Sequence, residues 1–114
     1  MMMPQIVSQK EEGGSAVKLE LRLQPALFWF DGHFPHHAIL PGVTQVHWVM
    51  VFATTLLALD QAFTGMDVVK FQRPLLPGDE VHLSIEWLKE KSRLNFQYSV
   101  AGYIASSGKM TLCH

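Results

Sequence analysis

An alternation of apolar and polar residues marks the first clear element of the chain. Residues 17–24, VKLELRLQ, place four apolar side chains on one face and four polar side chains on the other, the period of a strand with one buried face. The same alternation occurs in residues 81–88, VHLSIEWL, and in residues 94–100, LNFQYSV, with the polar segment KEKSR between them. These last two segments predict an antiparallel hairpin.

An uninterrupted apolar segment lies in the middle of the chain. From Val43 to about Phe63, apolar residues lie almost all around the helical period, which is typical of a helix enclosed by other elements. Gly42 predicts its start and Gly65 its end. The stretch 42–59 carries no formally charged residue, but polar residues dilute it and both flanks alternate as strands do. We therefore expect a buried core helix and no membrane span.

Two more strands are predicted after this helix, in addition to the hairpin. Residues 66–76, MDVVKFQRPLL, indicate a strand that ends at a PLLPGD turn. Residues 102–113 are expected to turn at 106–108 and to place Met110 and Leu112 on the inner face of a final strand. The order of elements predicts an α+β fold, in which one antiparallel sheet is wrapped around one long central helix. Such a sheet has open edges and leaves one helix flank uncovered, so self-association is expected.

Length and composition indicate one domain. The 114 residues are 48% hydrophobic and 17% charged, which is a globular composition of single-domain size. We assign residues 15–114 to that domain and expect residues 1–14, which lack the apolar core of a secretory signal, to be a loose lead-in. The formal net charge of −1 excludes a broad basic surface, so nucleic acid is not expected as a partner. Cys113 is the one cysteine, which favours a reducing, cytoplasmic location.

The segment 30–48 is the richest in chemistry, because it holds four of the six histidines. His33 precedes the stiff Phe34-Pro35 pair, which can hold its imidazole away from bulk water, as a neutral general base requires. Gly42 opens the helix, where free N–H groups and the positive end of the dipole can stabilise an enolate. His47 stands among Val, Trp and Met, and composition favours a hydrogen-bonded core histidine over the wall of a site.

A metal centre is the competing interpretation of the clustered histidines. The imidazoles of His33, His36, His37 and His47 are of a type that zinc or iron binds. The HxxHH spacing on a proline-containing loop is not a standard zinc signature, and Asp31 is the one obvious carboxylate nearby. We therefore expect no metal, with His36 and His37 as exposed loop residues.

Two motifs, in this order and separation, resemble those of a known family. Residues 32–43, GHFPHHAILPGV, resemble the GHFPxxPIMPGV segment of the hot-dog-fold 3-hydroxyacyl-ACP dehydratases, the FabZ and FabA group. Residues 70–81, KFQRPLLPGDEV, resemble the KFRRPVxPGD segment that follows it in that family. The short length and the helix start LPGVTQVHW are similar to the dehydratases of aryl-polyene gene clusters. The resemblance implies a hot-dog fold.

The resemblance also implies roles for individual residues. The family's base, which takes the C2 proton, falls on His33, and the glycine whose N–H binds the thioester carbonyl falls on Gly42. The family's catalytic carboxylate, contributed across a dimer interface, falls on His47, which is a departure. Two nearby histidines tend to share one charge, giving a neutral base and a protonated acid. The apolar acyl tunnel is then expected to include Phe34, Pro35, Ile39, Leu40, Val43 and Val46.

The implied reaction is the dehydration of (3R)-3-hydroxyacyl-ACP to trans-2-enoyl-ACP by a homodimer or higher homo-oligomer. It needs no cofactor, because the thioester already acidifies C2. The partner is an acidic acyl carrier protein with a phosphopantetheine-linked substrate, which Lys70 and Arg73 can dock, although both also fit solvated strand charges. Two alternatives remain: a hot-dog acyl thioesterase, and a catalytically weak acyl-ACP or acyl-CoA-binding subunit, because fold does not fix function.

Overall fold

The computed structural model of the chain describes residues 3–25, 27, 39–59 and 61–113. These residues form one long helix and six strands, with a short 3₁₀ turn at Lys89–Lys91. The elements are β1 (Gln5–Glu12), β2 (Ala16–Arg22), α1 (Gly42–Leu56), β3 (Ala62–Phe71), β4 (Glu80–Leu88), β5 (Arg93–Val100) and β6 (Tyr103–Cys113).

The six strands make one antiparallel sheet in the order β1-β2-β4-β5-β6-β3. The inward positions predicted for β2, β4 and β5 are buried, among them Leu19, Leu83 and Phe96. They form one core with Trp48, Val49 and other residues of α1, so one face of the sheet packs on the helix. The predicted α+β architecture and the β4–β5 hairpin are confirmed.

The helix begins at Gly42 as predicted but ends at Leu56, earlier than expected. Ala58 has a left-handed φ of 53°, which takes the chain out of the helical path. The predicted end at Gly65 is wrong, because β3 begins at Ala62 and pairs with β6. A short apolar run satisfies a buried helix and a strand equally well, so periodicity alone did not separate them.

Residues 5–12 also differ from expectation. In place of a loose lead-in they form β1, which pairs with β2 through a turn at Gly13 and Gly14 with φ of 62° and 75°. Every residue of β1 is exposed, because β1 is an edge strand without a buried face. It therefore lacks the alternation that marks half-buried strands.

The predicted turn at 106–108 is wrong, because β6 continues through these residues. The turn lies earlier, at Ala101 and Gly102, whose φ values are 51° and 82°. Close packing favours a glycine at position 108, because a Cβ there would lie 2.6 Å from Cε2 of Phe96, a residue of the buried core. Met110 and Leu112 are buried as predicted.

One flank of α1 and the adjacent edge of the sheet remain uncovered. Val43 is 81% exposed and His47 on the same flank is also exposed. On the edge strand β3, Met66, Val68 and Phe71 are each more than half exposed. Within the described ranges, no helix is both long and apolar enough to cross a membrane.

Candidate active site

The first turns of α1 border two adjoining cavities. One, of about 230 Å³, lies between α1 and β3 and includes Val46, His47, Met50 and Met66 in its walls. The other, of about 540 Å³, extends from the start of α1 toward residues 72–74. Three residues line both cavities: Gly42, Val43 and Phe71.

His47 is the main polar side chain of the smaller cavity, whose other walls are almost entirely apolar. It lies on the exposed flank of α1, and the composition-based expectation of a hydrogen-bonded core histidine is wrong. An imidazole at the edge of an apolar cavity can exchange a proton with a group bound there. The arrangement therefore favours a site residue over a core residue.

Gly42 places a backbone N–H group at the start of α1, beside both cavities. As the first residue of α1, it has an N–H without an acceptor inside the helix. The ring of Phe71 lies so close that a Cβ at position 42 would be 2.7 Å from its Cζ atom. Glycine is therefore needed for this packing, and the ring and the helix start together shape both cavities.

The predicted acyl-channel residues divide into three groups. Val43 and Val46 line the smaller cavity beside His47. Ile39 and Leu40 line the larger cavity, where Leu40 is buried and Ile39 is 38% exposed. The remaining predicted site residues, His33, Phe34 and Pro35, lie outside the described residues, as do His36 and His37. Among the described residues, no group of three or more histidine, cysteine or acidic side chains could hold a metal ion.

Sequence reasoning missed a cluster of three polar side chains at the inner wall of the site, which we call the Gln45 cluster: Gln45, which lines the larger cavity, Tyr98 and Ser106. Nε2 of Gln45 donates to the carbonyl of Leu40 at 3.2 Å, and its Oε1 accepts from the hydroxyl of Ser106 at 2.7 Å. The Tyr98 hydroxyl donates to the backbone carbonyl of Gln45 at 2.7 Å. The signal available in the sequence was a glutamine inside an apolar helix, which needs partners once it is buried.

Burial also changes the acidity of this cluster. Desolvation raises the pKa of Tyr98 well above that of an exposed tyrosine, because the phenolate would lose its hydration. Tyr98 therefore remains a hydrogen-bond donor under all ordinary conditions. Its role at this position is to hold the helix.

The two cations expected to dock a partner lie near the larger cavity and on β3. Arg73 lines the larger cavity and stacks on the ring of Tyr103, with 4.0 Å from its Cζ to the ring centroid. Its backbone N–H donates to the carbonyl of Ala105 at 3.0 Å. Lys70 is exposed on the edge strand β3, opposite Ser107 of β6. Arg73 is thus held in place at the larger cavity, whereas Lys70 lines neither of the two cavities.

The family comparison matches most of the chain. Residues 8–109 match the model of the ApeI-like family, described as ApeI dehydratase. A FabZ 3-hydroxyacyl-[acyl-carrier-protein] dehydratase of Dechloromonas aromatica is 33% identical over 96 residues. That alignment covers 72% of this chain and 66% of the relative. The chain therefore spans slightly less than two thirds of that relative's length.

Solved structures resemble the whole chain more closely. A chain of the dehydratase heterocomplex ApeI:P from Xenorhabdus doucetiae superposes with a TM-score of 0.94 at 42% identity, covering 99% of this chain and all of that one. An uncharacterized protein from Erwinia carotovora superposes with a TM-score of 0.89 at 40% identity, covering 98% and 97% of the two chains. These similarities confirm the predicted hot-dog fold.

Proposed function

The chain belongs to the ApeI-like dehydratase family, and we propose that it dehydrates (3R)-3-hydroxyacyl-ACP to trans-2-enoyl-ACP. The observation that carries the proposal is the position of His47 and Gly42 on one apolar cavity at the start of α1. An imidazole, a backbone donor and apolar walls are the groups that elimination from an acyl thioester needs. No cofactor takes part, since the thioester itself acidifies C2.

The proposed reaction uses one base, one acid and one carbonyl donor. His33 removes the proton from C2, and the electrons of that C–H bond form the C2–C3 double bond as the C3–O bond breaks. The leaving hydroxyl takes a proton from His47 and departs as water. The N–H of Gly42 donates to the thioester oxygen, where negative charge develops. His33 and Gly42 are assigned through the motif, and His47 is assigned through its equivalent position in the family. Gly42 and His47 also line the same cavity.

The unusual feature of the proposal is an imidazole at position 47, where the family resemblance implies a carboxylate. An imidazolium donates a proton as a carboxylic acid does, and a neutral imidazole can hold a water molecule. Elimination requires a neutral base and a protonated acid, and the proposal assigns the first role to His33 and the second to His47.

The open cavity beside His47 supports completion of the site by a second subunit. Its open side coincides with the exposed flank of α1 and the apolar residues of β3. We infer a homodimer in which His33 of one copy and His47 of the other serve the same substrate. The relative from X. doucetiae is a heterocomplex, so a related but different subunit is the alternative partner.

The larger cavity provides the route from the carrier protein. It leads from Gly42 to Arg73, and a guanidinium is well suited to the phosphate of a phosphopantetheine arm or to an acidic carrier protein. The acyl chain would then extend past Gly42 into the apolar cavity beside His47. This reaction belongs to fatty-acid or aryl-polyene biosynthesis, and we place it in the cytoplasm.

A product assay tests this proposal. The purified protein is incubated with 3-hydroxyacyl-ACP while enoyl-ACP and free thiol are both followed, with His33→Ala as the matched control. Enoyl product without thiol, absent from the control, supports the dehydratase. Release of thiol identifies a thioesterase, and binding without either product identifies an acyl-binding subunit; both results overturn the proposal.

A further inference from the structure

The Gln45 cluster joins the start of α1 to three other parts of the chain. Gln45 itself is 3% exposed and Ser106 is fully buried. Through its side chain Gln45 contacts Leu40, just before the helix, and Ser106 on β6. Through its backbone carbonyl it contacts Tyr98 on β5. One residue thus connects the chain before the helix, the helix and two central strands.

Stability alone does not explain this arrangement. A buried amide contributes little net stability even when its hydrogen bonds are made, because water bonds are lost on folding. An apolar side chain of similar volume fills such a position without polar desolvation. A fully paired polar cluster in an apolar core instead fixes a defined geometry. The geometry that Gln45 can fix is that of the neighbouring Gly42 and His47.

The chain before the helix is held from both sides. The carbonyl of Leu40 accepts from Gln45, and the N–H of Leu40 donates to the carbonyl of Leu75 at 2.8 Å. Leu40 therefore has both of its backbone polar groups anchored, two residues before Gly42. The N–H groups of Thr44 and Gln45 both donate to the carbonyl of Pro41, at 3.1 and 3.2 Å. Together these bonds set the direction of the first helical turn.

We propose that Gln45 is a positioning residue, which holds the Gly42 N–H and the His47 imidazole in their reactive places. The inference rests on the proposed dehydratase function and deepens it. Gln45 lines the larger cavity, but it is only 3% exposed and both ends of its side-chain amide are bonded within the protein. It therefore acts through the backbone of Leu40 and through the helix, and not on a reacting atom. Its loss allows the first turn of α1 to shift, and the donor and acid no longer meet the substrate together. A misplacement of about 1 Å lowers turnover by roughly a hundredfold in comparable systems.

The test compares three variants with the wild-type protein. Gln45→Leu keeps the volume of the side chain and removes both of its hydrogen bonds. Gln45→Leu combined with Ser106→Ala also removes the hydroxyl left without its acceptor, and therefore recovers stability. Thr44→Val is the matched control, because Thr44 lies in the same turn and is also 3% exposed.

The measurements are kcat and KM for 3-hydroxyacyl-ACP, the melting temperature and amide hydrogen exchange at positions 44 and 45. We expect kcat to fall at least about tenfold in Gln45→Leu with KM nearly unchanged. The double variant regains melting temperature but not kcat, exchange at 44 and 45 quickens in both Gln45 variants, and Thr44→Val behaves as wild type. Recovery of kcat together with melting temperature, or wild-type kcat in Gln45→Leu, overturns the positioning role.

Failure of the proposed function gives a different result. In that case the wild-type protein itself forms no enoyl product, whatever the variants do. Hydrogen exchange still tests the position of the helix start, since it needs no turnover. Unchanged exchange at positions 44 and 45 in Gln45→Leu then overturns the inference independently.

Discussion

The ring of Phe71 packs directly on the backbone of Gly42, where a Cβ would lie 2.7 Å from its Cζ atom and about 3 Å from both Cε atoms. This contact joins the end of β3 to the start of α1. It also forms the boundary shared by the two cavities. The space available to a substrate near the Gly42 N–H therefore depends on one aromatic ring and one missing side chain.

Gly42→Ala should lower activity while leaving the fold intact. The added methyl group pushes the ring of Phe71 aside, and because that ring is 54% exposed, it moves at small cost in stability. We expect turnover of 3-hydroxyacyl-ACP to fall by about tenfold or more, with a free energy of unfolding within about 1 kcal/mol of wild type. Combining it with Phe71→Leu makes room for the methyl and should restore part of the rate. Full activity in Gly42→Ala alone would contradict this view of the contact.

Gly108→Ala should destabilise the protein without a direct effect on the site. Its methyl would meet the ring of Phe96 at 2.6 Å and the carbonyl of Val68 at 3.0 Å, and the ring, which is 3% exposed in the core, would have to shift. Overpacking of this kind costs about 1–3 kcal/mol, measurable by denaturant unfolding. Gly65→Ala is the matched strand control, because no other atom lies within 4 Å of its Cβ position. Equal stability of the two variants would show that the packing around Gly108 is not tight.

His47→Glu should retain or raise turnover. The glutamate restores the carboxylate that the family resemblance implies at this position, on an exposed flank with space for it. His47→Ala removes the acid and should lower kcat by about a hundredfold or more. Loss of activity in a well-folded His47→Glu variant would show that position 47 does not have the assigned role.

The stability of the protein should fall on the alkaline side because of Tyr98. Its pKa is raised by burial, so above pH of about 10 an unfolded tyrosine ionises while the folded one stays protonated. The stabilising contribution is therefore complete below that pH and decreases as the pH rises above it. Tyr98→Phe should cost about 1 kcal/mol at neutral pH through its lost hydrogen bond and show a flatter alkaline decline. Denaturant unfolding between about pH 8 and pH 11 measures this alkaline loss of stability. Tyr103→Phe is the control, because Tyr103 is exposed.

Charge reversal at Arg73 should weaken recognition of the carrier protein. Arg73→Glu is expected to raise KM for acyl-ACP several-fold, and the difference from wild type should shrink as salt is added. Lys70→Glu should act more weakly, because its side chain lies on an open strand edge. Lys18→Glu provides the control, because Lys18 lies on β2, near the end of the sheet opposite to β3. An unchanged KM in Arg73→Glu would exclude the docking role.

The predictable part of the fold consists of elements with one buried face. β2, β4 and β5 alternate because one side of each meets the core, and periodicity therefore identified them. β1 has no buried face, and residues 62–65 are as apolar as the helix before them, so neither carried a distinguishing pattern. A glycine in the sequence can mark either a turn or a place of close packing, and the pattern around Gly108 predicts a turn. The short distance to Phe96 shows that this glycine allows close packing instead.

The site divides in a similar way. The family resemblance predicts Gly42 and His47 as site residues, and the structure brings them to one cavity. The sequence does not predict the Gln45 cluster, because Tyr98 and Ser106 lie 53 and 61 residues after Gln45. Contacts of that kind depend on how strands pair and not on local spacing.

Mixed dimers test whether two copies of the chain share one active site. His33→Ala and His47→Ala are expressed separately and together, and enoyl-ACP formation is measured for each preparation. Each variant alone should be inactive, whereas the co-expressed mixture should recover about a quarter of the wild-type rate, since random pairing leaves one intact site in each mixed dimer. A mixture as inactive as its two components would contradict a site shared between two copies.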